Sequence, residues 1–495
     1  MSYLELLKLA APETIVVVTA LAVLTIGLTR TSAKGLASVV AVLGIAVAIG
    51  AVLMLPPHAN LFGGMLVISP LNSLFKIICL ILALVTVPLF SSERSLPNPG
   101  EFLAMLLLGA VGLMLLVGSE ELLMIFIGLE LLGLSLYVLA AFDKSDIRSA
   151  EAGLKYFLFG STASAFTLFG ISFIYGMAGT TALAAIGQKL AGAPVQPLLA
   201  VGIVMTLVGF AFKIAAAPFH LWAPDAYQGA PIPSAAFIAS ASKVASFVVL
   251  GKIVLVGFAP ARGSADWHAM LAGWSPVLAA LAALSILLGN FVALAQTNVR
   301  RLLAYSAVAH GGYTLLGIIA GGRDGFSATL FYTSIYAITL IGAFAIVGVV
   351  RRESGGDDLQ NFVGLAARSP FLAGSMSIFL LSLAGLPPLA GFFGKFYLFS
   401  AALRAGGNHG LLWLVTVALF GSFVSLYYYL IVLKVIFVGE PFASTAQRGQ
   451  SGSDLNNSTA RELPSRATIA VLAAAVLFLG IMPQTLAARI FASLP

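Results

Sequence analysis

Residues 209–247 read GFAFKIAAAPFHLWAPDAYQGAPIPSAAFIASASKVASF. Lys213 sits in an otherwise apolar run from Val195 to Pro218, and Lys243 lies mid-run between Pro233 and Phe258. A lysine at the centre of a membrane helix costs about 2.5–3.5 kcal/mol on insertion scales, so such residues face a partner or a water-filled path and mark function. Pro218, five residues after Lys213, brings no N–H donor and frees a carbonyl upstream. Broken helices at membrane depth are common where ions bind or pass.

The rest of the chain has membrane composition. Of 495 residues, 60% are hydrophobic and 9% charged, and the mean hydropathy is +1.04. Those values exclude a soluble globular protein and predict an all-α polytopic membrane protein with about fourteen spans. Hydropathy places them near residues 10–28, 35–56, 69–90, 102–118, 120–142, 155–178, 196–219, 233–258, 273–295, 301–320, 326–350, 370–400, 409–438 and 466–486. With the N-terminus outside, the inner loops collect thirteen basic residues, Arg30, Lys34, Arg94, Lys144, Arg148, Arg300, Arg301, Arg351, Arg352, Arg368, Arg448, Arg461 and Arg466, against six outside. The positive-inside rule therefore predicts both termini on the outer side. The basic charge is a topology signal and gives no argument for nucleic acid. Cys79 stands alone within a span, which leaves disulfides and cysteine-held metal or iron–sulfur sites without ligands and reads as core filler. There is no glycine-rich phosphate loop between a strand and a helix, so redox cofactors belong to other chains. The first apolar run lacks a small-residue cleavage site and is expected to stay as a helix.

Further ionisable residues fall at membrane depth. Glu130 is the one acid deep in a span and needs a cation, with Lys213 or Lys243 as the partner. Gly128 and Gly133 beside it let another helix approach. Ser240, Ser242 and Ser246 around Lys243 leave room for water. His310 falls mid-membrane in RRLLAYSAVAHGGYTLLGIIAGG, with Tyr305 and Ser306 about one turn earlier. In LSLAGLPPLAGFFGKFYLF, Pro387 and Pro388 precede Lys395, so a lysine again adjoins a proline break. Lys76 and Lys252 lie near helix ends and read as snorkelling side chains. Trp222 and Tyr227 read as interfacial anchors in a turn-rich loop.

The second break echoes the first at a fixed offset. Lys213 to Lys395 is 182 residues, Lys252 to Lys434 is 182 and Glu130 to His310 is 180. An offset near 182 that spans five helices implies two repeats of opposite orientation. The expected units are a three-helix segment at 1–100, a first inverted repeat at 101–258 (helices 4–8), a second at 259–440 (helices 9–13), and a flexible loop with a final helix at 441–495, with helices 7 and 12 broken.

FKIAAAPFHLWAPDAYQGAP followed by SASKVASF closely resembles the antiporter-like membrane subunits of respiratory complex I, the NADH-quinone oxidoreductase, and among them the subunit N branch. AAFDKSDIRSAEAGLKYFLFGS, GNFVALAQTNVRRLLAYSAVAHGGY and SLAGLPPLAGFFGKFYLF carry the likeness through most of the chain. Asn72 is a departure, since relatives often carry an aspartate near that point. The resemblance implies fourteen helices with two inverted five-helix repeats, in a bacterial inner-membrane complex that oxidises NADH, reduces quinone and pumps protons. It implies proton-carrying roles for Glu130, Lys213, Lys243, His310 and Lys395, no cofactor in this chain, and partner subunits that carry FMN and iron–sulfur clusters, all embedded in membrane lipid. The expected mechanism loads Lys213 from the inner side, passes the proton through Lys243 and His310, and releases it at Lys395. Two other readings remain open on the residues: a cation/proton antiporter subunit, and a structural spacer whose lysines are relics.

Overall fold

Apolar stretches of about twenty residues must satisfy their backbone internally, and the chain does so as helices. The computed structural model describes residues 3–29, 34–93, 96, 98–192, 196–405, 409–439 and 452–494, the backbone alone at 452–461. Arg30, Arg94 and Arg448, the Arg461 side chain and residues 440–451 of the expected linker lie outside the described residues.

A short helix α1 (Tyr3–Leu9) leads into α2 (Ala11–Thr29) and α3 (Lys34–Leu53). A hairpin of β1 (Ala59–Leu61) and β2 (Leu66–Ile68) pairs Ala59 with Ile68. It is followed by α4 (Pro70–Ser92), α5 (Pro99–Gly118), α6 (Leu122–Ala140), α7 (Ile147–Ala178) and the short α8 (Leu183–Leu190). The quoted stretch forms α9 (Pro197–Lys213), α10 (Trp222–Gly229), α11 (Ile232–Ala239) and α12 (Ala241–Lys252). Next come α13 (Trp274–Leu294), α14 (Val299–Ala320), α15 (Gly322–Ser354) and a single turn, α16 (Leu365–Arg368). The chain continues as α17 (Pro370–Ala384), α18 (Ala390–Arg404), α19 (Leu412–Val438), α20 (Gly452–Ile481) and α21 (Gln484–Ser493).

Among the described residues, twelve segments are long and apolar enough to cross a membrane. The two interrupted pairs, α9 with α10 and α17 with α18, complete the fourteen expected crossings, and the breaks fall at the expected seventh and twelfth. Local sequence sets the helix starts. Proline occupies the first turn of α4, α5, α9, α11 and α17, where its missing N–H costs nothing. The Asp146 side chain caps α7, and Asn298 accepts from the Arg300 and Arg301 amides at the start of α14. Small residues set the spacing between helices: a side chain on Gly112 would strike Leu132 of α6, and one on Gly289 would strike Ala309 of α14.

Several expectations need correction. The supposed turn-rich loop after Pro218 contains the helix α10, and its Trp222 and Tyr227 are fully buried instead of interfacial. Hydropathy missed the polar first turns of α7, which begins at Ile147 instead of 155, because Lys155 and Glu151 there are held in ion pairs. Helix α20 starts at Gly452, inside the stretch read as linker. Its Arg466 pairs with Glu462 at 3.2 Å and with Glu353 of α15 at 3.7 Å.

Candidate functional site

The sequence ends α9 at Lys213 because the backbone turns there: Ala215 has φ +57°, and the Ala217 amide donates to Ser285 Oγ at 2.8 Å instead of continuing the helix. The carbonyl of Phe212, which also takes the Ala215 amide at 3.0 Å, accepts from Trp222 Nε1 at 3.0 Å. Trp222 in turn stacks on Tyr156, with ring centroids 4.1 Å apart. A buried indole therefore closes the end of the broken helix, and this explains why the Trp is not at an interface.

Lys213 is 3% exposed. Its Nζ lies 5.8 Å from the ring centres of both Tyr137 and Tyr156. Glu130 and Lys213 share a cavity of about 20 Å³ with Tyr137, Thr167 and Gly209, room for a water. They form no ion pair in this conformation. Glu130 is half-buried and accepts from Ser164 Oγ of α7. Gly133 faces Tyr137 and Lys213: a Cβ there would lie 3.1 Å from the Tyr137 hydroxyl and 3.5 Å from Lys213 Nζ.

Lys243 is 2% exposed, near the start of α12. Its Nζ donates to the Ala307 carbonyl of α14 at 2.7 Å and sits 5.6 Å from the Tyr336 ring centre. The neighbouring serines do not leave free hydroxyls: Ser240, Ser242 and Ser246 donate to the Ala236, Ile238 and Ser242 carbonyls, each four residues back.

His310, also 2% exposed, is the centre of a tyrosine ring. Its Nδ1 meets Tyr332 OH at 2.6 Å and its Nε2 meets Tyr429 OH at 3.1 Å. The Tyr429 hydroxyl also pairs with Ser306 Oγ, whereas Tyr305 turns towards His220, 6.2 Å between ring centroids. The imidazole lies 5.1 Å from the Tyr336 ring and 5.5 Å from the Tyr313 ring. A small cavity of about 10 Å³ joins His310, Tyr332 and Tyr336 to Ser382 and Gly391, on either side of the second break.

Lys395 lies in the second turn of α18 and is 4% exposed. Its Nζ reaches back across the break to the Ala384 carbonyl at 3.0 Å and to Ser422 Oγ at 2.9 Å. Gly385, at φ +88°, caps α17 and leaves room for the lysine stem, which a Cβ would meet at 2.9 Å. The ammonium sits 5.0 Å from the Tyr313 ring. Tyr313 is held by Asn290 Nδ2 at 2.8 Å.

The structure thus brings Lys243, Tyr336, His310, Tyr313 and Lys395 into one succession, each neighbour 5.0–5.6 Å from the next by these ring distances. Lys213 and Glu130 stand apart from it. Several buried polar atoms have no protein partner among the described residues: Tyr156 OH, His220 Nδ1, Tyr227 OH, Ser234 Oγ and Tyr336 OH; the Tyr156 ring lies 5.8 Å from Lys213 Nζ and the Tyr336 ring 5.6 Å from Lys243 Nζ. Buried polar groups without a protein partner are commonly satisfied by ordered water where there is room for it. The tyrosines were the residues that sequence reading passed over. Their signal was the spacing of Tyr332 and Tyr336 at i,i+4 and of His310 and Tyr313 at i,i+3, which puts each pair on one helix face.

Two expectations about the flanking lysines fail. Lys76 does not snorkel: it is buried and pairs with Glu13 of α2 at 2.6 Å. Lys252 is buried too, whereas Lys434, 182 residues on, is exposed.

At the Arg300 end, the basic residues do more than set topology. Arg300 is fully buried, donates to the Tyr227 and Ala230 carbonyls at the end of α10, and pairs with Asp357 at 3.4 Å. Arg301 and Lys155 share Asp225 of α10 at 2.7 and 2.6 Å. A polar cavity of about 220 Å³, lined by Glu93, Asp143, Asp146, Arg351 and Arg352, opens beside Pro231.

Residues 119–425 match the family described as NADH:quinone oxidoreductase/Mrp antiporter, TM. The chain is 45% identical over 501 residues to "NADH-quinone oxidoreductase subunit N 2" of Acidobacterium capsulatum, with 98% of each chain covered. A chain of respiratory complex I from Thermus thermophilus superposes with a TM-score of 0.78 at 32% identity, covering 97% of this chain and 100% of that one. A chain of the Mrp complex from Dietzia shares the fold, with a TM-score of 0.77 at 23% identity over 99% and 97% of the two chains.

Proposed function

For a chain that belongs to the NADH:quinone oxidoreductase/Mrp antiporter family of membrane subunits, we propose that it is the subunit N of a bacterial complex I and carries protons through Glu130, Lys213, Lys243, His310 and Lys395. The observation that supports this most is the succession from Lys243 to Lys395 across Tyr336, His310 and Tyr313. Ionisable groups buried in a membrane bundle are costly, and a row of them at mid-depth is the arrangement a proton relay requires.

Each residue has a task in that reading. Lys213 takes a proton from the Arg300 end, the cytoplasmic side if both termini lie outside, with the polar cavity near Pro231 as a water-filled mouth. Glu130 swings between Ser164 and Lys213; near the lysine it favours the ammonium, away from it the proton is free to leave. One pKa unit corresponds to about 1.36 kcal/mol, so a small displacement suffices. Water held by the unpartnered hydroxyls bridges Lys213 and Lys243. His310 passes the proton on, its two ring nitrogens already engaged with tyrosine hydroxyls, and Lys395 releases it to the opposite side. Helices 4–8 and 9–13 act as the two inverted repeats.

Moving a charge against the membrane potential costs roughly 2.3 kcal/mol per 100 mV. The energy comes from quinone reduction by NADH in partner subunits, which hold the FMN and iron–sulfur clusters; this chain holds no redox site. The test is proton pumping by purified complex in vesicles. Lys243→Ala is expected to assemble and lose pumping, while wild-type pumping in that variant would overturn the relay. Sodium-dependent transport without NADH-oxidising partners would instead favour the antiporter reading that the Mrp fold raises.

A further inference from the structure

Lys252 is a buried cation that the relay does not use. Its Nζ donates to Asn72 Oδ1 at 2.5 Å and to the Val117 and Ser119 carbonyls at 2.8 and 3.4 Å. Val117 and Ser119 end helix α5, where carbonyls are unpaired and the helix dipole favours a cation. Glu120, its side chain 43% exposed, lies 3.8 Å away.

The position of Lys252 along α12 gives these bonds a consequence. Helix α12 is bounded by two irregular points: Ser240, with φ −114° and ψ −80°, and a π-helical turn at Ile253–Gly257. Such interruptions are where a helical segment shifts relative to its neighbours. Between them run twelve residues with a lysine near either end. Lys243 and Lys252 are nine residues apart, two and a half turns, and so leave opposite faces of the helix. Lys243 binds a carbonyl of α14 and Lys252 binds carbonyls of α5.

We propose that Lys252 is a positioning residue for Lys243: its ammonium pins the far end of α12 to α4 and α5, and its charge state sets how firmly Lys243 is held against α14. Charge-assisted bonds are roughly twice as strong as neutral ones, so loss of the proton loosens the pin. The charged groups around it are few. Lys76 of α4 is committed to Glu13. Glu121 is committed to the Leu123 and Met124 amides, and Glu120 is the remaining acid. Helix α15 presents Phe326, packed on Gly251. The hairpin joins the same node, because Asn72 Nδ2 donates to Val67 at 2.7 Å and Ser119 Oγ to Met65 at 3.1 Å. This inference rests on the relay reading of Lys243.

The test uses intact complex carrying Lys252→Met, Lys252→Arg, Asn72→Ala or Lys243→Ala, with hydrogen exchange of residues 240–257 and the pH profile of pumping as readouts. Lys252→Met is expected to speed exchange there roughly tenfold, the loss of one charged anchor, and to lower pumping at every pH. Asn72→Ala, which keeps the lysine but removes its nearest acceptor, is expected to move the alkaline limb to lower pH. Lys252→Arg keeps its charge and is expected to move that limb to higher pH, a shift that a merely structural role would not give. Unchanged exchange with an unshifted limb in assembled Lys252→Met and Asn72→Ala overturns the proposal, as does faster exchange with wild-type pumping. Wild-type pumping in Lys243→Ala sinks the relay reading instead, and leaves the exchange result to stand alone.

Discussion

The two broken helices place their lysines differently. Lys213 is the last residue of the helix before its break, and an indole from beyond the gap adds a second bond to the Phe212 carbonyl, which already takes the Ala215 amide. Lys395 comes after its break and closes the exposed carbonyl itself, through Ala384. The first ammonium is thus left facing two tyrosine rings and a cavity that also holds a carboxylate. The second is tied to the backbone and a serine. A group free of backbone bonds is suited to being switched by a moving partner. A group bound to a fixed carbonyl is suited to holding a proton at a fixed place, with a histidine behind it.

The largest effect expected from this contrast is for Lys213→Ala, which removes the switched group. A lost proton-transfer group costs its own step about 10²–10⁴-fold, so pumping and quinone-linked NADH oxidation should collapse at normal assembly. Lys213→Arg should rescue little, because a guanidinium stays protonated. Next comes His310→Ala. It breaks the succession between Tyr336 and Tyr313, and is expected to depress pumping strongly without unfolding the protein; full activity would mean that water alone joins Lys243 to Lys395. Glu130→Gln follows: turnover should fall but persist, while Glu130→Asp keeps part of the difference. Equal rates for Gln and wild type would show that no carboxylate switch acts on Lys213.

The smallest effect concerns stability. Lys213→Met should stabilise the complex more than Lys395→Met, because only the second loses an ammonium bonded to a backbone carbonyl at a helix end, about 1.5–3 kcal/mol. Thermal inactivation of the two purified variants would show the order, and the reverse order would contradict the assignment of partners.

Much of this contrast was open to sequence reading, for definite reasons. Proline beside lysine in an apolar run marks a break whatever surrounds it, so helices 7 and 12 were legible. Glu130, Lys213, Lys243, His310 and Lys395 stood out because charge in such runs is rare. What could not be read was orientation. Trp222 and Tyr227 have the composition of interface anchors, and only packing shows them buried. Lys76 and Lys252 sit where lysines snorkel, and their partners Glu13 and Asn72 are 63 and 180 residues distant. The tyrosines around His310 come from α14, α15 and α19, and no local pattern joins Tyr429 to the other two helices. The 182-residue offset relates Lys252 to Lys434 as it relates Lys213 to Lys395, yet Lys252 is buried and Lys434 exposed, a difference of side-chain environment that spacing alone does not carry.

The central claim is that the two differently held lysines are stations on one proton path. Its most direct test is the number of protons moved per NADH oxidised, measured in vesicles with complexes carrying Lys213→Ala, Lys395→Ala or both, at matched assembly. If they are stations on one path, each single variant loses the same share of pumping and the double variant loses no more than either alone. Losses that add in the double variant would mean two independent paths, and would contradict the account.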